Sequence, residues 1–313
     1  MNRLVADIGG TNTRCAVTGP DGRMSAVSQF ENRDYETPAP LLKRFLDSLA
    51  PGDRPDSGLL AVAAPIVDDV VHMVNIDWHF STGALAGSLD LRALRTLNDF
   101  EALAWALPEL EPGDLLRVGG GRIRDGRPKA VLGPGTGLGV ASLVHADTGW
   151  LAVCGEGGHV TLPAVDALEA RVIDSFRESF GHCSAERVLS GPGLGLLHRI
   201  LHGGPAVEAA EVARLADNDD AAAAETFEVF FRLLGTVAAN LALTVGAFGG
   251  VYIGGGIVPR HRDRFMASGF RERFESKGRY GDYLQSIPTF LIVSDHPTLT
   301  GLAALGRRSG RSA

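Results

Sequence analysis

A glycine-rich pattern occurs twice in this 313-residue chain. Near the N-terminus, Asp7-Ile8-Gly9-Gly10-Thr11-Asn12 follows an apolar run; in the middle, Gly133-Pro134-Gly135-Thr136-Gly137-Leu138-Gly139 follows another. Each reads as a strand, a tight Gly/Thr turn and a second strand. Glycine tolerates the positive φ and close backbone approach of such a turn, and successive N–H groups there form a concave anion site. Two such turns in two halves of one chain suit a polyphosphate, and hence phosphoryl transfer. Asp7 ends its strand beside the first turn, where a carboxylate can hold Mg²⁺ through water. Thr11 can donate its hydroxyl to a phosphate. A plain β-hairpin turn is the alternative for this segment. The second turn is no Walker A loop, since no Lys-Ser/Thr follows its glycines, and no dinucleotide fingerprint, since a strand rather than a helix comes next.

Four further segments carry chemistry-bearing residues. In Leu97-Asn98-Asp99-Phe100, Asp99 lies between an apolar and an aromatic residue where a strand gives way to a helix. A partly desolvated carboxylate there suits a general base. Asn98 offers a donor and an acceptor to a hydroxyl, although Asn-Asp before an apolar helix is also an ordinary N-cap. Gly155-Glu156-Gly157-Gly158-His159 spaces two polar groups among glycines, which suits a small polyol; no third ligand with suitable spacing supports a metal. In Ser184-Ala185-Glu186-Arg187, Ser184 could simply start a helix and Glu186 could pair with Arg187. In the sixth segment a strand at 251–253 ends in Gly254, Gly255 and Gly256, leaving a flat backbone surface for a base or ribose, or else a tight strand-to-helix turn.

The elements that must position these residues follow from periodicity. Apolar runs at 4–8, 14–18, 59–63, 129–132, 140–144, 251–253 and 289–293 predict strands. Residues 41–49, 100–106 and 167–180 have helical spacing. Phe227, Phe230, Phe231, Leu234, Val237, Ala238 and Leu241 form one apolar helix face. Such a mixture predicts an α/β protein, with a domain boundary near residue 109, ahead of a Gly/Arg-rich loop at 119–127. The net charge of −7 argues against a nucleic-acid binder; Arg307, Arg308 and Arg311 are expected in a solvated, frayed terminus. Cys15, Cys154 and Cys183 have neither metal nor redox spacing, which fits a reducing cytoplasm and buried thiols. The chain starts directly on a strand, so no signal peptide is expected. Residues 232–260 lack charge between Arg232 and Arg260 but contain seven glycines, and are expected to be a buried helix and strand rather than a membrane span.

Taken in order, DIGGTN, NDF, GPGTGLG, GEGGH, SAERVLSGPG and FGGVYIGGGIVP resemble bacterial glucokinases of the proteobacterial type, within the actin–hexokinase–Hsp70 ATPase superfamily. The resemblance runs from Asp7 to about Gly301. It implies a two-domain α/β fold of actin-like ATPase (ribonuclease H-like) type, with the active site in the interdomain cleft. A small α/β domain, 1–109, would be joined by a C-terminal helix, 298–313; a larger α+β domain would span 110–297. The implied activity is ATP-dependent phosphorylation of D-glucose to glucose 6-phosphate, entering glycolysis, by a cytoplasmic homodimer with no nucleic-acid or membrane partner. By the same resemblance, Asp7, Ile8, Gly9, Gly10, Thr11 and Asn12 form the first phosphate loop, with Asp7 serving Mg²⁺. Gly133, Gly135, Thr136 and Gly137 belong to the second loop, and Gly254, Gly255 and Gly256 contact adenosine. Asp99 takes the proton of the sugar 6-hydroxyl; Asn98, Glu156, His159 and Glu186 bind the other hydroxyls. A kinase of the same fold acting on mannose, fructose or N-acetylglucosamine is the main alternative. A sugar-responsive regulator would need a helix-turn-helix, and only six residues precede Asp7. An actin-like filament would not need the GEGGH and SAERVLSG segments. The zinc-binding cysteine cluster of the related repressor–kinase group is absent from the sequence.

Overall fold

The structure, a computed structural model, describes residues 2–309 except 65, 74, 75 and 148. Arg311 and the expected helical residues 310–313 lie outside the described residues. The chain forms two compact units, Met1–Glu111 with Ser294–Ala313, and Pro112–Val293.

In the first unit the chain runs β1 (Arg3–Ile8), β2 (Asn12–Thr18), β3 (Met24–Glu31), α1 (Pro38–Asp47), β4 (Ser57–Val62), β5 (Ile66–Val67), β6 (Val70–His72), β7 (His79–Ser81), α2 (Thr82–Ser88), β8 (Ala93–Asn98) and α3 (Asp99–Ala106). Five strands make one sheet in the order β3-β2-β1-β4-β8, and β5–β7 form a small separate sheet. The pairs β1/β2 and β2/β3 are antiparallel; β1/β4 and β4/β8 are parallel. Central β1 is buried nearly end to end, as a strand covered on both faces must be. The edge strand β3 instead leaves five of its eight residues exposed. Leu4, Ala6, Ile8, Leu41, Phe45, Leu60 and Val62 anchor the core of this unit.

The second unit continues with β9 (Leu115–Gly119), β10 (Lys129–Pro134), β11 (Leu138–Ala146), β12 (Gly149–Cys154), α4 (Ala167–Phe180), α5 (Ala185–Val188), α6 (Gly191–His202), α7 (Ala209–Asp217), α8 (Ala221–Val245), β13 (Val251–Ile253), α9 (Arg262–Ala267), α10 (Phe270–Glu275), α11 (Gly281–Gln285) and β14 (Thr289–Ile292). Its sheet order is β12-β11-β10-β13-β14-β9. Again two antiparallel pairs, β10/β11 and β11/β12, are followed by two parallel ones, β10/β13 and β13/β14. Asp220 caps α8 by accepting from the Ala223 N–H, and Gly246 ends it in the left-handed conformation at φ 65°. α8 is long and apolar enough by composition to cross a membrane. Its Phe227, Phe230, Phe231, Leu234 and Ala238 are nevertheless buried in the core of this unit, so it is a core helix.

The chain then returns to the first unit as α12 (Pro297–Ser309). This helix lies so close to α3 that a Cβ on Gly301 would sit 1.7 Å from the Ala102 carbonyl oxygen. Arg307 and Arg308 therefore do not fray into solvent. Arg307 pairs with Glu109, and the Arg308 guanidinium lies 5.1 Å above the Trp105 ring. The cysteine expectation also needs correction at one position. Cys15 and Cys183 are buried, but Cys154 is exposed, because it ends β12 at the edge of the sheet.

Candidate active site

In the first unit, β1 delivers Asp7 to the turn that joins it to β2. Three of the turn's carbonyls, those of Gly9, Thr11 and Asn12, are engaged within the protein. Gly9 N–H donates to Asn12 O at 3.0 Å, and Asn32 N–H donates to Thr11 O at 2.9 Å. The Asn32 side-chain amide donates to Gly9 O at 2.8 Å. Among the described residues no protein acceptor takes the N–H of Gly10 or Thr11. A turn with its carbonyls tied inward and N–H groups left outward can receive an anion. Asp7 itself is pushed up to about 6, first by burial, against the lowering influence of Arg14 and of a hydrogen bond from Thr298. The nearest Arg14 nitrogen stands 3.8 Å from its carboxylate.

β8 ends at Asn98 and α3 begins at Asp99. The N-cap reading of this dipeptide holds for Asn98. Asn98 is an N-cap, its Oδ1 accepting from the N–H groups of Phe100 at 2.9 Å and Glu101 at 3.4 Å. Asp99, thereby fixed at the first helical position, is pushed up to about 7. Burial is the main cause and the negative charge of Asp7 the second, with hydrogen bonds from the backbone of Phe100 and Asp99 and from the Asn98 side chain opposing them. An ionisable group poised near neutrality can accept a proton at working pH.

In the second unit the carbonyls of the turn between β10 and β11 are held by backbone N–H groups. Ile257 N–H donates to Pro134 O at 3.1 Å, Gly191 N–H to Gly135 O at 2.8 Å, and Gly135 N–H to Gly137 O at 2.7 Å. The glycine turn after β13 lies directly alongside. A Cβ on Gly133 would stand 2.4 Å from the carbonyl carbon of Gly254, and Gly255, at φ 81°, has the Pro134 oxygen 2.5 Å from where its Cβ would be. Glycine is required at these two positions by close approach and, at Gly255, by a left-handed backbone as well. Gly256 faces open space.

The three expected hydroxyl-binding residues of this unit converge. His159 Nε2 is 3.9 Å from Glu156 Oε2 and 3.7 Å from Glu186 Oε1. Ser184 does start a helix, accepting from the Arg187 N–H at 3.3 Å, and so sets Glu186 in its first turn. Glu186 does not turn to Arg187, whose guanidinium lies 4.2 Å above the Phe180 ring. Instead its Oε2 accepts the Leu138 N–H at 2.9 Å. A Cβ on Gly137 would be 2.5 Å from that same oxygen, so the glycine makes room for the carboxylate. One acid thus touches both His159 and the glycine turn.

Three residues absent from the sequence reading support the site: Asn32, Arg14 and Thr298. The register pairs Asn12 with Glu31, so recognising β3 as a third antiparallel strand would have set Asn32 opposite Thr11. Thr298 carries no such local signal, since it is some 290 positions from Asp7 in the chain.

Two sheets sharing one order over five strands, with the glycine turns joining the corresponding pairs β1/β2 and β10/β11, define an actin-like ATPase fold. The glucokinase family model matches residues 4–309. A glucokinase of Paramagnetospirillum magneticum is 46% identical over 309 residues, covering 96% of each chain. A bifunctional protein glk of Paraburkholderia xenovorans is 42% identical over 97% of this chain, which spans only 48% of that protein. The crystal structure of a glucokinase from an Antarctic psychrotroph matches with a TM-score of 0.87 at 34% identity, over 97% of this chain and 98% of that one. A ROK family glucokinase from Streptomyces griseus, in complex with glucose and AMPPNP, shares the fold at a TM-score of 0.65 and 18% identity, over 97% and 99% of the two chains. The chain belongs to the glucokinase family.

Proposed function

We propose that this chain transfers the terminal phosphoryl group of ATP to the 6-hydroxyl of glucose, with Asp99 as the base that takes the hydroxyl proton. Family membership supports the reaction. The observation that carries the residue assignment is Asp99, a carboxylate pushed up to about 7 at the start of α3, in the same unit as the first phosphate turn. Phosphoryl transfer relies on positioning and charge neutralisation more than on covalent help. The N–H groups of the 9–12 turn and of the 133–139 turn would bind phosphate oxygens; the backbone at Gly254, Gly255 and Gly256 would lie against the adenosine. Glu156, His159, Glu186 and Asn98 would bind the remaining sugar hydroxyls, and a sugar lacking one of those hydroxyls would leave a polar group unpaired.

Asp7 fits Mg²⁺ by its chemistry. It is a largely shielded carboxylate whose pKa is raised by desolvation, and among the described residues no group of three carboxylate, histidine or cysteine ligands forms a dedicated cage. Mg²⁺ is commonly held by one or two carboxylates with phosphates and water completing its shell. When bound, the ion would neutralise charge on the transferred phosphoryl group. We extend the proposal to the cytoplasm, whose reducing conditions suit the exposed thiol of Cys154, and to a homodimer. Leu151 and Val153, exposed on the edge strand β12, offer the dimer an apolar face, and light scattering would test it.

The decisive assay follows ATP-dependent sugar 6-phosphate formation with glucose, mannose, fructose and N-acetylglucosamine. Turnover is expected on glucose, falling about 10²–10⁴-fold in Asp99→Asn with glucose binding retained. Preferred turnover on another sugar would move the substrate; undiminished turnover in Asp99→Asn would remove Asp99 from the chemistry.

A further inference from the structure

Asn32 is fully buried, immediately after β3, and no part of it faces a candidate ligand. Every polar group it has is nevertheless committed, and three of its four bonds go to one short stretch of chain. Its backbone N–H donates to Thr11 O at 2.9 Å, and its backbone carbonyl accepts from Tyr35 N–H at 3.0 Å. Its side-chain amide donates to Gly9 O at 2.8 Å, and its side-chain oxygen accepts from the Thr13 hydroxyl at 2.7 Å. The amide orientation is dictated by these partners, because only the NH₂ can donate to a carbonyl.

The consequence is directional. A peptide plane whose carbonyl is pulled one way presents its N–H the other way. Tethering Gly9 O and Thr11 O to Asn32 turns the N–H groups of Gly10 and of Asn12, the residues that follow those carbonyls, away from the protein interior. With Gly9 N–H closing on Asn12 O at 3.0 Å, the turn has little freedom left. The equivalent turn of the second unit is held differently, by the backbone N–H groups of Ile257 and Gly191. Of the two turns, the first has a carbonyl held by a side chain, and a side chain can be removed.

We infer that Asn32 is a positioning residue for nucleotide phosphate: it pre-aims the N–H groups of the 9–12 turn and so sets the affinity for ATP without touching it. The inference rests on the proposed reading of that turn as a phosphate site. A glycine-containing turn free to rotate its peptide planes would have to be ordered at binding, and that cost would reappear as weaker affinity.

The test compares Asn32→Ala, Asn32→Asp and Thr13→Val with the unmodified enzyme. Asn32→Asp keeps the volume and the acceptor for Thr13 but sets a carboxylate oxygen against Gly9 O; Thr13→Val is nearly isosteric and removes one tether. Loss of a buried hydrogen bond that orders the turn should raise KM for ATP about tenfold in both Asn32 variants. Thr13→Val should give a smaller rise. KM for glucose should stay within about twofold in all three, and AMPPNP binding by calorimetry should weaken in parallel with KM for ATP. Should Asn32→Ala fail to fold, Asn32→Asp and Thr13→Val carry the test. Folded variants with unchanged KM for ATP, or with KM for glucose raised equally, would overturn the inference. Thr11→Val separates it from the reading beneath it. If Thr11→Val raises KM for ATP while the Asn32 variants do not, only the tether is wrong. If Thr11→Val too leaves it unchanged, the turn is not a phosphate site and both ideas fall.

Discussion

At the scale of single residues, the site works by placing charged groups where water cannot fully solvate them. Asp99 is raised to about 7, and its proton must be gone before it can act as a base. The kcat/KM for glucose should therefore fall on the acid side of pH about 7 by about tenfold per unit, and rise to a plateau above it. The same burial has a stability consequence of opposite sign. A carboxyl whose folded pKa lies above its unfolded 3.8 binds more protons folded than unfolded between those values, so stability declines as pH rises through that window. Asp99→Asn should melt at a higher temperature than the parent enzyme at pH 8, the advantage vanishing by about pH 4. Scanning calorimetry across that range checks it; an equal melting temperature at pH 8 would mean the carboxylate carries no penalty. Glu186 makes a different prediction, because it serves two groups at once, Leu138 N–H and His159. Glu186→Ala should raise KM for both glucose and ATP, whereas His159→Ala should raise that for glucose alone. Steady-state kinetics with each substrate varied in turn distinguishes them.

At the scale of elements, helices set the proposed base and one proposed sugar ligand by where they start. Asn98 caps α3 and so places Asp99; Ser184 caps α5 and so places Glu186. Either cap lost should cost about 1 kcal/mol of stability, but more in function, since one capped turn carries the proposed base and the other a proposed sugar ligand. The position of α3 is in turn set by α12, through the contact at Gly301. An added methyl there would meet the Ala102 carbonyl oxygen at 1.7 Å, and no flexible side chain is available to yield. Gly301→Ala should destabilise by about 3 kcal/mol, measured by urea unfolding. If it folds, it should also lower kcat more than it raises either KM, because the displaced element carries the proposed base. The exposed thiol of Cys154 ends an edge strand and belongs to the same logic: strand position, not residue type, decides its exposure.

For the whole molecule, the recurrence of one strand order in both units, β3-β2-β1-β4-β8 and β12-β11-β10-β13-β14, gives the repeated glycine turn its meaning. In each unit the turn joins the same two strands of the pattern. The first unit is discontinuous in sequence, and α12 closes it by burying Leu299, Leu302 and Leu305. Deleting residues 294–313 should therefore unfold the first unit while the second persists. Hydrogen exchange would register this as lost protection in β1, β4 and α3 with protection kept in β10, α8 and β13; retained protection throughout would mean that α12 is dispensable.

Much of this was legible in the chain itself. Apolar runs located β1, β2, β4, β10, β11, β13 and β14, and phenylalanines at helical spacing marked the buried face of α8. Those signals are local, written by the sheet and helix periods into neighbouring residues. The glycine turns and Asp99 were legible for the same reason, since a tight turn and a cap are each specified by a few adjacent residues. What sequence alone left open was non-local. The edge strands β3 and β12 are at least half exposed and lack a continuous apolar run, so pairing rather than composition makes them strands. Whether Glu186 pairs with Arg187 or with Leu138 N–H depended on which groups the fold brought within hydrogen-bond reach. The terminal arginines read as a solvated tail until packing set Arg307 against Glu109 and Arg308 over Trp105. Asn32 had no motif at all. Its importance comes from lying opposite Thr11 across a strand pair, and only tertiary structure decides which distant residue closes a turn whose own sequence merely permits it.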